Sequence, residues 1–168
     1  MRKRCQRFDG QPIAIALLHQ FIAELAAAAA ANSGVGVEHV RLAVTESQLA
    51  TLLKDLGGTI VCGNIPPFSI SYPASYWHSE GECLLMVLEK MPRDRQAGCD
   101  EFDRYQRLQR LMSALLQLLT GELLQEFCDQ GELDHSQPVR VEWEYNQYGG
   151  FNGLSATFKL KDRNGTGL

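Results

Sequence analysis

The sequence predicts an α+β domain, with two or three helices packed on a mainly antiparallel sheet of about five or six strands. Three observations lead there. A Leu-rich amphipathic segment, Asp100 to Gln130, reads as one long helix. The alternating stretch from Val139 to Asp162 reads as a β-hairpin that follows it. The 168 residues, 45% hydrophobic and 21% charged, suffice for one compact domain with a real core. The expected unit is a single domain over 1–168, with 1–10 and 163–168 as flexible ends.

Taken in order, the first element is a helix favoured by Pro12 near its start, with Ile15, Leu18, Phe21, Ile22 and Leu25 on its apolar side. Ala26 to Ala31 extend it, and their small side chains permit close approach of another backbone; Asn32-Ser33-Gly34 stops it. A short strand is expected over His39 to Val44. Thr45-Glu46-Ser47-Gln48 then has the spacing of a capping box, opening a second helix that runs to about Leu56. Leu49, Leu52, Leu53 and Leu56 give that helix one buried face, and Gly57-Gly58 ends it.

The middle of the chain reads as strands. Thr59 to Cys62 is the first, Pro66-Pro67 marks a turn or edge because proline cannot donate to a ladder, and Phe68 to Tyr72 follows. Pro73 to Glu82 reads as a connection. Cys83 to Lys90 is the next strand, and Leu84 to Leu88 is apolar without alternation, so it is expected at the centre with both faces covered. Met91 to Cys99 is polar and reads as a loop.

In the long helix, Asp100 is the expected N-cap, with Glu101 and Asp103 complementing the helix dipole. Tyr105, Leu108, Met112, Leu115 and Leu119 form the inward stripe. Further leucines widen that stripe until a second side must be covered, either by the first helix or by a neighbouring subunit. Arg104, Arg107 and Arg110 read as a solvated face, with Asp100–Arg104 and Asp103–Arg107 at ion-pair spacing. In the closing hairpin, Val139, Val141, Trp143 and Tyr145 alternate to one face and match Leu154, Ala156, Phe158 and Leu160, so that face is assigned to the core. Gly149-Gly150 is the expected two-residue turn, which sets Tyr148 opposite Phe151 at the tip.

Composition excludes several classes. A formal charge of -4, from 16 basic and 20 acidic residues, offers no attraction to a polyanion, so no nucleic-acid partner is expected. The five cysteines (Cys5, Cys62, Cys83, Cys99 and Cys128) lack metal-site or paired spacing and read as reduced thiols. Arg2-Lys3-Arg4 before the apolar run Pro12 to Ala31 mimics a signal peptide, but His19, Gln20 and Glu24 interrupt the run, and no membrane partner is expected.

No catalytic motif is present: there is no G-x-S-x-G elbow, P-loop, G-x-G-x-x-G or H-E-x-x-H. His78, Glu80 and Glu82 lie close enough in sequence to supply a base or metal ligands, yet a strand connection commonly carries such residues. No catalytic, cofactor or metal residues are assigned, and no cofactor is expected. Two aromatic pairs, Tyr76 with Trp77 and Tyr148 with Phe151, are the interface candidates, since an aromatic pair on a loop tip supplies contact area at small entropic cost; the alternative for Tyr148 and Phe151 is a cross-strand pair that stabilises the hairpin, and the same ambiguity holds for Tyr76 and Trp77. Replacing Tyr148 and Phe151 with Ser is then expected to weaken association without unfolding.

The order of an N-terminal helix, a strand-rich middle, the long helix Asp100 to Gln130 and a hairpin ending Phe151-Asn152-Gly153-Leu154-Ser155-Ala156-Thr157-Phe158-Lys159-Leu160 resembles tail-terminator and tail-completion proteins of tailed bacteriophages. The helix after Thr45 departs from that pattern. The resemblance implies a ring-forming subunit, cytoplasmic or incorporated in a virion, with itself or other assembly proteins as partners. The expectation is therefore a non-enzymatic structural protein. A monomeric adaptor or inhibitor module and a small enzyme of unrecognised type are the alternatives.

Overall fold

The computed structural model of the protein describes residues 15–71, 78–91, 98–121 and 131–162, with the backbone alone at 15–17, 68–71, 78–80, 98–100, 131–132 and 161–162. The order of elements is α1 (Ile15–Ser33), β1 (His39–Ala43), α2 (Glu46–Leu53), β2 (Thr59–Asn64), β3 (Phe68–Ser71), β4 (His78–Lys90), α3 (Gly98–Thr120), β5 (Gly131–Leu133), β6 (Arg140–Gln147) and β7 (Phe151–Asp162). The class is α+β, as the sequence predicts.

The seven described strands belong to one sheet, ordered β1-β2-β4-β7-β5, with β3 also on β4 and β6 also on β7. The pairing registers explain how seven strands make a sheet five strands wide. Residues 85–89 of β4 pair with β2 and 78–81 with β3, so two short strands share one edge of β4 while β7 takes the other. Likewise, β6 pairs with 151–157 of β7 and β5 with 160–162. Among the described strands only β1 and β2 run parallel.

The non-alternating apolar run of β4 is the centre, as expected, and its two faces belong to two cores. Val61, Leu85, Val87, Leu154, Ala156 and Phe158 face α1 and α3. Ile60, Cys62, Met86, Leu88 and Phe151 face α2 through Leu49 and Leu53. The second side of α3 is covered from within the chain: Ala26 and Ala29 of α1 are buried in the core that holds Leu108, Leu111, Leu115 and Leu119. Each such buried leucine contributes about 1.5–3 kcal/mol.

Local signals hold at the helix ends. Thr45 Oγ1 accepts from the Gln48 amide at 3.2 Å, while Gln48 Oε1 accepts from the Val44 amide at 2.9 Å, one residue before the usual recipient of a capping box. Gly34 takes φ +69° after α1, the left-handed conformation that ends a helix. At the other end of α2, Lys90 Nζ donates to the Lys54 carbonyl at 2.8 Å.

Several expectations need correction. α2 ends at Leu53 rather than about Leu56, and Leu52 is exposed, because the helix lies on the sheet edge and only Leu49 and Leu53 point inward. β4 begins at His78, so 78–82 is strand and not connection. α3 starts at Gly98, which puts Asp100 in the first turn instead of at the cap, and residues 122–130 lie outside the description. Arg104 and Arg107 reach Glu89 of β4, at 3.4 and 3.1 Å, and for Arg107 this replaces the expected pair with Asp103; the Asp100 side chain lies outside the described residues. The hairpin turns through three residues, Tyr148 to Gly150, all at positive φ.

Candidate interaction surface

The largest departure from expectation lies on β6. Its alternation is real, but Val141 (43% exposed), Trp143 (56%) and Tyr145 (67%) face solvent, not the core. The reason is position. Val141 pairs with Ala156 and Trp143 with Leu154, so these side chains share the face on which α1 and α3 pack. That helical layer ends over β7. Alternation reports that the two faces of a strand differ; it does not report that this chain covers the apolar one.

The flank of α3 forms a wall beside that strand. Tyr105 meets Trp143 edge-to-face, ring centroids 5.1 Å apart. Phe102, one turn before Tyr105 and 64% exposed, extends the wall. The Tyr105 hydroxyl is pushed above its ordinary pKa by burial first, then by the Glu101 charge and hydrogen bond, with a smaller contribution from Tyr145. The result is an aromatic step of Phe102, Tyr105, Val141, Trp143 and Tyr145.

A β-bulge fixes this arrangement. Between the pairs Glu144↔Gly153 and Gln147↔Phe151, β6 spends one more residue than β7, and Asn146 takes φ +54°. Asn152, buried opposite the bulge, accepts from the Asn146 amide at 2.7 Å and donates to the Tyr105 hydroxyl at 3.1 Å. The same hydroxyl donates to Glu101 at 3.3 Å. Asn152 thus ties the strand to the helix. One signal for it exists in the sequence: it occupies a core-facing place in the series Asn152, Leu154, Ala156, Phe158, where a polar residue needs partners.

The opposite face of β6 carries charge. Arg140 and Glu142 are exposed, and Glu144 is half-buried and accepts from Ser155 Oγ at 2.6 Å. Among the described residues, β6 pairs with β7 alone and β1 with β2 alone, so each has an outer backbone edge open.

The interface candidates fare differently from expectation. Phe151 is wholly buried under Lys90, whose Nζ lies 5.5 Å from the ring centroid, so the phenylalanine faces the α2 core and offers nothing to a neighbour. Tyr148 is half-buried beside that core, with its hydroxyl 3.8 Å from Met86 Sδ. Truncating a buried phenylalanine costs about 3–5 kcal/mol. Replacing Tyr148 and Phe151 with Ser therefore tests folding, not association, contrary to the expectation from the sequence. Tyr76 and Trp77 lie outside the described residues.

His78, Glu80 and Glu82 alternate along β4, and the register sets Glu80 opposite Lys161 and Glu82 opposite Lys159, positions suited to cross-strand charge pairing. Glu82 is exposed. Among the described residues no three His, Cys, Asp or Glu side chains gather as metal ligands. A cavity of about 10 Å³ between α1 and the sheet, lined by Leu18, Phe21, Leu42, Leu85 and Phe158, has room for one water at most. Cys83 on its wall and Cys62 on the other face are free thiols whose pKa burial pushes up to about 12, which keeps them protonated and unreactive at neutral pH. No described helix is long and apolar enough to cross a membrane. No protein-family model matches the chain, and no curated protein matches it.

Proposed function

We propose that this chain is a non-enzymatic assembly protein that associates with copies of itself through the exposed face of β6 and the adjoining flank of α3. One observation carries the reading. A strand with an apolar alternation of Val141, Trp143 and Tyr145 is held at the rim of the sheet with that face open, backed by Phe102 and Tyr105. Scattered exposed apolar residues are ordinary on a protein surface, but a contiguous aromatic patch beside an open strand edge is the composition of an interface. Tryptophan and tyrosine are also the side chains that most often dominate binding energy.

The resemblance of the element order to phage tail-terminator and tail-completion proteins supports a setting for such an assembly, a ring of identical subunits at a virion tail. The role rests on surface complementarity, with the hydrogen-bonded pair Asn152 and Tyr105 holding the aromatic step in place.

The test is the double variant Trp143→Ser, Tyr145→Ser, compared with the parent by light scattering over a dilution series. Both side chains are mostly exposed, so thermal unfolding should change little. The expected result is a parent heavier than one chain and a variant that dissociates at concentrations where the parent does not. Identical dissociation curves contradict the proposal. A parent that remains monomeric contradicts it as well, and leaves the β6 face to a foreign partner.

A further inference from the structure

The two ends of the sheet match each other. Proceeding from self-association through β6, we propose that the occupant of the β6 edge is the β1 edge of a second copy, paired antiparallel head to tail so that the sheet continues from subunit to subunit. Four independent features of the two edges fit.

Direction is the first. β1 runs with β2, β2 against β4, β4 against β7, and β7 against β6, so β1 and β6 point in opposite directions. A neighbour that extends the sheet in the same orientation therefore brings an antiparallel β1 to β6.

Length is the second. β1 has five residues, His39–Ala43, and the regular part of β6 before its bulge also has five, 140–144. One register uses all of both: Ala43 opposite Arg140, Leu42 opposite Val141, Arg41 opposite Glu142, Val40 opposite Trp143 and His39 opposite Glu144.

Chemistry on each face is the third. In that register Val40 and Leu42, which pack on the α1 and α3 side, meet Trp143 and Val141 on the same side. On the α2 side Arg41 meets Glu142, its opposite in charge, and the His39 imidazole comes opposite Glu144. Apolar residues oppose apolar ones and opposite charges oppose each other, the two kinds of cross-strand pair that stabilise a ladder. Carried one residue further, Val44, exposed at the end of β1, comes opposite Val139.

The fourth is the poor fit of the competing occupant, a second β6 across a two-fold axis. Centred on Glu142, such a pair sets that glutamate against its own copy; centred on Trp143, it sets Glu142 against Glu144 twice. Centred on Val141, it opposes Arg140 to Glu142 and Val139 to Trp143 but leaves Glu144 outside the ladder, opposite Pro138, which precedes the strand. The glutamates thus oppose two of these three self-pairings, and the β1 register, unlike the third, uses all of 140–144. A head-to-tail contact of this kind is not self-limiting at two subunits: it closes a ring or grows a filament according to the rotation between neighbours.

Charge reversal tests it. Arg41→Glu and Glu142→Arg are made separately, and together in one chain, and each is measured by light scattering. The parent should be larger than a dimer. Each single variant should associate more weakly, on the order of 100-fold, because like charges then face each other. An equimolar mixture of the two single variants should recover the parent's mass, as should the double variant, which also shows that both chains are folded. If Arg41→Glu keeps the parent's mass, β1 is not the occupant, although association through β6 stands. Single variants that dissociate but stay apart on mixing overturn the register. A monomeric parent overturns both this inference and the self-association on which it rests.

Discussion

Tyr148 sits in the hairpin turn at φ +47°, half over the α2 core, and its burial has a measurable consequence. Burial first, then the charges of Glu46, Cys62 and Glu144, raise its hydroxyl from 10.0 to about 12. The neutral phenol is the form that the fold accepts. Its contribution is therefore fully present below pH 10 and is lost as pH rises through about 12. The buried thiols Cys62 and Cys83, raised from 9.0 to about 12, act in the same direction from pH 9 upward. Urea midpoints measured from neutral to strongly alkaline pH should fall above pH 9 in the parent, and Tyr148→Phe should leave the neutral midpoint nearly unchanged while reducing the fall above pH 10. An equal fall in both chains would show that another group carries the alkaline loss. At this scale the sequence was legible where chemistry is local, as in the Thr45 cap. It was not legible for Phe151 and Tyr148, because an aromatic next to Gly-Gly looks the same whether it faces water or a core built from residues as distant in the chain as Leu49, Leu53 and Met86.

Elements were easier to find than to place. The helices, most of the strands and the central position of β4 follow from period and punctuation, which are properties of consecutive residues. Partners do not follow, because they depend on what the chain brings alongside. Arg107 illustrates the difference: helical spacing pairs it with Asp103, yet α3 crosses β4 so that it and Arg104 both meet Glu89, which is mostly buried. That carboxylate anchors the first half of α3 to the sheet. Glu89→Gln removes the charge from both contacts with little change of shape, and should lower stability by about 1 kcal/mol, more in low salt than in high salt. Chemical denaturation of parent and variant at two ionic strengths would check it; equal stability would mean the two arginines are as well placed in water. The bulge in β6 was equally hidden, since an extra residue in one strand shows only against its partner.

For the whole molecule, α+β architecture, a covered central strand and an alternating terminal hairpin were all readable, and they fix most of the core. The open face of β6 was not readable, because an apolar alternation specifies burial without saying in which chain the cover resides. That ambiguity is the functional content of the fold. The described helices cover the sheet from β1 to β7 on one face or the other, and β6 stands beyond them with Trp143 and Tyr145 exposed. The central claim, that this strand meets a copy of the same chain, is tested most directly by hydrogen exchange of the backbone amides of 140–144 in dilute and in concentrated protein. The amides among these that point away from β7, together with those of 39–43 that point away from β2, should exchange more slowly as concentration rises, because the open edges become paired. Exchange at 140–144 that is indifferent to concentration, while the mass of the particle grows, would contradict it.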